Sequence, residues 1–112
     1  MGEPGRALTE RHCSPHAKLL RGDQLADLRR LLPDWKVADD KQIVKTFVFP
    51  DFVKALAFVN RAGEVAEAEG HHPDLYLAWG RVDAKISSHD AGGLTENDFI
   101  LAAKIDRAYF AG

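Results

Sequence analysis

The chain has 112 residues, 46% of them hydrophobic and 29% charged, with 15 Lys+Arg against 17 Asp+Glu. That length suits one domain burying roughly 60–70% of its unfolded surface. A net charge of −2 lacks the basic excess left by direct nucleic-acid binding, and no run of about 18 apolar residues marks a membrane span. A single cysteine, Cys13, forms no internal disulfide. With no apolar leader stretch either, the expected compartment is the cytoplasm.

Residues 1 to 22 mix Gly, Pro and charge without a sustained period, which predicts a flexible N-terminal arm carrying little chemistry. Residues 23 to 112 are expected to form the single domain. Asp23 reads as the N-cap of a short helix with Leu25, Leu28, Leu31 and Leu32 on one face and Pro33 at its end. Trp35 to Val37 and Ile43 to Phe49 read as two strands joined through the acidic turn Asp39-Asp40, because β-branched and aromatic residues dominate them. Pro50 and Asp51 suit a helix's first turn. Phe52, Leu56, Val59, Gly63 and Ala66 then recur at helical spacing as far as about Ala68, with Gly70 as the stop. From Asp74 to Ser88 apolar residues alternate with polar ones around Gly80-Arg81, predicting a second hairpin, and Thr95 opens a last helix reaching about Tyr109. This order predicts an α+β fold: a four-stranded antiparallel sheet with helices packed on one face.

A hairpin turning on Gly80 and Arg81 sets Trp79 against Val82 and, counting back along the ladder, His72 against His89. Directly opposed residues hold their Cβ atoms about 4.5–5.5 Å apart, with Pro73 loosening the pairing nearby. His71 follows the helix end and Glu67 lies one turn back. Glu67, His71, His72 and His89 are thus expected to converge. Each also has an ordinary reading: His-His-Pro as a solvated turn, Glu67 as a helix surface charge, and His89 as a strand-end residue. Asp98 belongs to a capping-box pattern, Thr95-x-x-Asp98. Trp35 and Trp79 read as core or rim aromatics. What favours a site is that three of the five histidines meet at one hairpin end. Adjacent extended residues point to opposite faces, which argues against His71 and His72 sharing a metal ion. His12, Cys13 and His16 lie in the arm, where no cage is preorganised.

Glu67, three residues, His71-His72-Pro73, five residues, Trp79, nine residues, His89, eight residues, Asp98: this spacing resembles the active-site pattern of the pterin-4a-carbinolamine dehydratases, with no member missing. The similarity runs through FPDFVKALAFVNRAGEVAEAEGHHPDLYLAWGRV and GGLTENDFILAAKID, about residues 33 to 106. It implies a lyase acting on a 4a-hydroxytetrahydropterin in tetrahydrobiopterin recycling. It further implies dimers or tetramers and no metal or organic cofactor. His71, His72 and His89 would surround the C4a hydroxyl, and Glu67 and Asp98 match supporting acidic positions. Trp35 stands where relatives often carry a tryptophan near the site, and Trp79 and Pro73 belong to the pattern. Imidazole titrates near neutrality, at about pH 6.5 unperturbed, so one ring can donate a proton while another accepts one. The stretch Cys13-Ser14-Pro15-His16 departs from the Cys-x-Pro-Cys of many bacterial relatives. The family also includes non-catalytic or dual-role members, among them a transcription-factor dimerisation cofactor and a carboxylase assembly factor, so a protein partner is the alternative expectation.

Overall fold

A computed structural model describes residues 6–111. The described part of the expected arm is packed against the domain, and residues 1 to 5 of it lie outside the described residues. Helix α1 (Arg6–Thr9) lies against the last helix, α4 (Glu96–Ala111), and Leu8 is wholly buried there. Further on, Leu19 forms an isolated bridge with Thr95, and the Leu20 N–H donates to the Leu94 carbonyl at 2.8 Å. Leu19 also packs over Gly93, where an added Cβ would come within 2.8 Å of its Cδ1. Single anchors more than ten residues apart carry no period, so the pattern of the sequence conceals them.

Helix α2 (Gly22–Leu31) starts two residues ahead of expectation. Arg21 occupies the cap position with no side-chain bond, and Asp23 instead sits in the first turn, where its charge meets the positive end of the helix. Strands β1 (Lys36–Ala38) and β2 (Gln42–Val48) pair with Val37 opposite Ile43. Asp39 and Asp40 turn between them at φ 55° and 57°, a left-handed region that Asp tolerates better than most residues. Helix α3 (Phe52–Glu69) begins with the Asp51 side chain accepting from the Lys54 N–H and ends at Gly70, φ 66°.

The second hairpin, β3 (Asp74–Ala78) and β4 (Arg81–Ile86), turns one residue earlier than sequence suggests. Its loop is Trp79-Gly80, with Gly80 second at φ 72°, so Ala78 faces Arg81 and Leu77 faces Val82. The register therefore moves by two residues, and continuing the ladder would set His72 across from Ser87 instead of His89. A glycine accommodates positive φ at either loop position, which is why the letters alone do not choose between the two turns. The fit at Gly80 is close: the Phe49 N–H donates to its carbonyl at 2.8 Å, and an added Cβ would meet the Phe49 oxygen at 3.1 Å.

The strands form one antiparallel sheet in the order β1-β2-β4-β3. Ile43, Phe47, Val82, Ala84 and Ile86 are buried on the face covered by α3 and α4, whereas Thr46, Val48, Tyr76 and Lys85 are exposed on the other. This is the α+β architecture that the alternation predicts. Phe47 and Phe49 meet Phe58 of α3 and Tyr109 of α4 in tilted and edge-to-face contacts, with ring centroids 4.7–5.7 Å apart. On α4 every residue from Asp98 to Ile105 is buried, including Lys104, so this helix has no clean apolar stripe. Among the described residues no helix is long and apolar enough to cross a membrane.

Leu8→Ala is expected to cost roughly 2–5 kcal/mol in urea unfolding, the range for a buried leucine, whereas a loose arm would show almost no change. Gly63→Ala, on α3 with open space at its missing Cβ, is expected to stabilise by about 0.4–1 kcal/mol.

Candidate active site

The end of α3, the chain after β4 and the start of α4 surround a cleft of about 680 Å³, within the rough 300–1,000 Å³ of small-molecule sites. His71, His72 and His89 all line it. The first two arrive as expected, because Gly70 ends α3 and redirects the chain into the pocket. His89 comes by a different route: β4 stops at Ile86, a bridge between Ser88 and Gly93 closes a short loop, and His89 starts the 3-10 turn His89–Ala91 within it.

Each imidazole has its own holder. His71 Nε2 lies 2.7 Å from Asp98 Oδ1, with the His71 side chain 16% exposed and Asp98 fully buried. The other Asp98 oxygen accepts from the Thr95 N–H at 2.8 Å and from the Ser88 hydroxyl at 2.9 Å. Thr95 Oγ1 in turn accepts from the Asn97 N–H. Thr95 and Asp98 therefore do cap the helix, with the Thr95 hydroxyl serving the Asn97 amide in place of that of Asp98, and the same carboxylate also orients an imidazole. His72 Nε2 lies 2.5 Å from Glu67 Oε2 in the open, and His89 Nε2 lies 3.2 Å from the Ser87 hydroxyl.

Beside the histidines sits a buried ion pair that sequence reasoning missed. Lys104 Nζ donates to Glu69 Oε2 at 2.5 Å, both side chains at most 6% exposed. The other Glu69 oxygen accepts from the Cys13 N–H at 2.8 Å, and His12 Nδ1 approaches Oε2 at 3.0 Å. Burial works to raise the Glu69 carboxyl, but the Lys104 ammonium, the Cys13 amide and His12 together outweigh it and hold the group down at about 2. The Cys13 thiol is pushed up to about 12 by burial and by the Glu69 charge, so it stays protonated and poorly nucleophilic. A lysine inside the otherwise apolar run LAAKI was the available signal, since a charge there needs a partner.

Comparison with known proteins decides the family. The chain matches the family model described as pterin 4 alpha carbinolamine dehydratase over residues 18–108. It belongs to that family. A relative from Chlorobium limicola is 52% identical over 82% of this chain and 84% of its own, and one from Rubrobacter xylanophilus is 45% identical over 89% and 96%. Both carry the name "Putative pterin-4-alpha-carbinolamine dehydratase". Among solved structures, a transcriptional coactivator/pterin dehydratase from Brucella melitensis aligns with TM-score 0.75 at 32% identity, over 80% of this chain and 97% of that one. A pterin dehydratase-like protein described as a RuBisCO assembly factor in the alpha-carboxysome aligns at TM-score 0.58 and 20% identity, covering 68% and 89%, and shares the fold.

The pterin dehydratase pattern is thus only partly gathered at the cleft of a single chain. Glu67 and Asp98 stand behind His72 and His71 as holders. Trp35, Trp79 and Pro73, which the resemblance assigns to the pattern or its surroundings, are not among the residues lining it. Trp35 is buried, donating its indole N–H to Asp106 at 3.1 Å, and Lys45 reaches the same carboxylate at 2.8 Å. Trp79 is 72% exposed at the hairpin tip, far along the strands from His72. The remaining cleft wall comes from the segment expected to carry little chemistry: Cys13, Ser14, Pro15 and Ala17. Among the described residues no three His, Cys, Asp or Glu side chains group as a metal cage.

The depressed Glu69 carboxyl fixes a pH dependence. Its contribution to stability is complete above about pH 4.5 and is lost as the pH falls toward about 2, because protonation dissolves the pair. Glu69→Gln should therefore destabilise by roughly 3–5 kcal/mol near neutrality, where Lys104 is left buried without its counter-charge. Urea titrations of both proteins are expected to converge as the pH is lowered through that window.

Proposed function

We propose that the protein is a hydro-lyase that converts a 4a-hydroxytetrahydropterin to the quinonoid dihydropterin and water, as part of tetrahydrobiopterin recycling in the cytoplasm. The observation that carries this reading is the set of three imidazoles lining one cleft, one of them fixed by a buried carboxylate. Family membership supports it, as does the name of the Brucella melitensis neighbour.

In the reaction the C4a–O bond breaks, the departing hydroxyl takes up a proton to leave as water, and N5 gives up its proton as the C4a=N5 bond forms. Asp98 already accepts two hydrogen bonds on Oδ2, which leaves Oδ1 to accept from His71 Nε2–H. That contact leaves Nδ1 of His71 with its lone pair, suited to remove the N5 proton. His89, steadied by the Ser87 hydroxyl, is assigned the proton donor to the C4a hydroxyl. His72, held by Glu67, is assigned to bind and polarise that hydroxyl. Every step is met by a proton carrier from the chain itself. Homodimers or homotetramers are the proposed assembly, because β1 and β3 are open sheet edges of the kind that proteins tend to cover.

A second reading, a protein-binding module, is favoured by Trp79, Val53 and Phe110, each at least 71% exposed. The two are separated by one assay. Freshly generated 4a-hydroxytetrahydropterin should dehydrate faster with the purified protein than without it, and chelator should leave that rate unchanged. His71→Ala and His89→Ala should each slow it by at least about tenfold while keeping the wild-type far-ultraviolet spectrum, the low end for losing an acid or base. A wild-type rate equal to the uncatalysed control would sink the enzymatic reading.

A further inference from the structure

The segment from Cys13 to Ala17 lines the cleft through Cys13, Ser14, Pro15 and Ala17 and runs between two fixed points. Upstream, Leu8 is sunk in the core against α4; downstream, Leu19 and Leu20 are bonded to Thr95 and Leu94. Between these anchors the main chain is clasped twice. The Cys13 N–H is held by buried Glu69. At the next residue the Asn97 side chain bonds Ser14 reciprocally: its Oδ1 accepts from the Ser14 N–H at 2.9 Å, and its Nδ2 donates to the Ser14 carbonyl at 2.7 Å. An amide clasping one residue through both main-chain groups mimics a strand partner, and it fixes the strap where Ser14 lines the cleft. Asn97 sits in the first turn of α4, one residue before Asp98, and itself lines the cleft, so the helix that holds His71 also holds the strap.

From this we infer that Asn97 is a positioning residue for substrate: it fixes the strap that confines the flat pterin ring against the histidines, and it governs affinity while leaving the proton transfers to the imidazoles. This rests on the dehydratase reading for the identity of the ligand. Neither capping nor helix formation requires an Asn here, because the side chains of Thr95 and Asp98 already cap the helix start and use only the main-chain amide of residue 97. Cys13 adds no chemistry to the wall, since its thiol faces the Asn97 carbonyl at 3.6 Å.

The test compares wild type with Asn97→Ala, by turnover of 4a-hydroxytetrahydropterin and by calorimetric binding of 7,8-dihydrobiopterin. Losing both clasp bonds is expected to raise KM and the dihydrobiopterin Kd roughly five- to thirtyfold while kcat stays within about twofold. Hydrogen exchange at the Ser14 amide should quicken in the variant, with a melting curve that remains cooperative. A fall in kcat at unchanged KM would overturn the inference by placing Asn97 in the chemistry. Unchanged kinetics and binding despite faster Ser14 exchange would overturn it by showing that the strap confines nothing. Wild-type protein that neither binds nor turns over a pterin would defeat the dehydratase reading and this one with it, an outcome distinct from a functional wild type matched by its variant.

Discussion

The carboxylate of Asp98 is shut away from water and must satisfy its oxygens within the protein, and it does so with three separate parts of the chain. It caps the first turn of α4, holds the Ser88 hydroxyl after β4, and grips His71 beyond α3. A buried charge left without these partners would be costly, so helix start, loop and imidazole are bound to one arrangement. The cleft exists because these three segments meet there. Ser88 reinforces the junction by bonding Thr95 at 2.8 Å, closing a small buried network that contains no unsatisfied side-chain atom among the described residues.

Much of this was legible from residue order. The period of three and four from Phe52 onward, Asp51 before it and Gly70 after it mark α3 to within a residue. Alternation marks the strands, and Thr95-x-x-Asp98 marks the start of α4. These are local signals, each decided by a few neighbours. The position of His71 and His72 follows from them directly, since Gly70 ends the helix just before them; both line one cleft where strand geometry would set them on opposite faces, because they lie in irregular chain ahead of β3.

What could not be read depended on distant partners. The hairpin register slipped by two because Gly80 serves in either loop position, and the choice is made by packing against Phe49, more than thirty residues earlier in the chain. His89 still reached the cleft, carried by the loop closed between Ser88 and Gly93, so the right residue was expected for a partly wrong reason. The arm looked featureless because Leu8, Leu19 and Leu20 are anchors without rhythm. Lys104 and Glu69 lie 35 positions apart, and neither alone announces a buried pair. Trp35, by contrast, behaves as its ordinary reading held, as a core aromatic whose indole N–H is satisfied by Asp106.

The hairpin carrying Trp79 has a further implication. Strand β3 is five residues long, so its tip stands roughly 15–20 Å from the end that feeds the histidines into the cleft. A macromolecule seated on the tip would leave the mouth of the pocket unobstructed. The exposed tip and the cleft therefore occupy separate parts of the surface, since Trp79 is not among the residues that line the pocket.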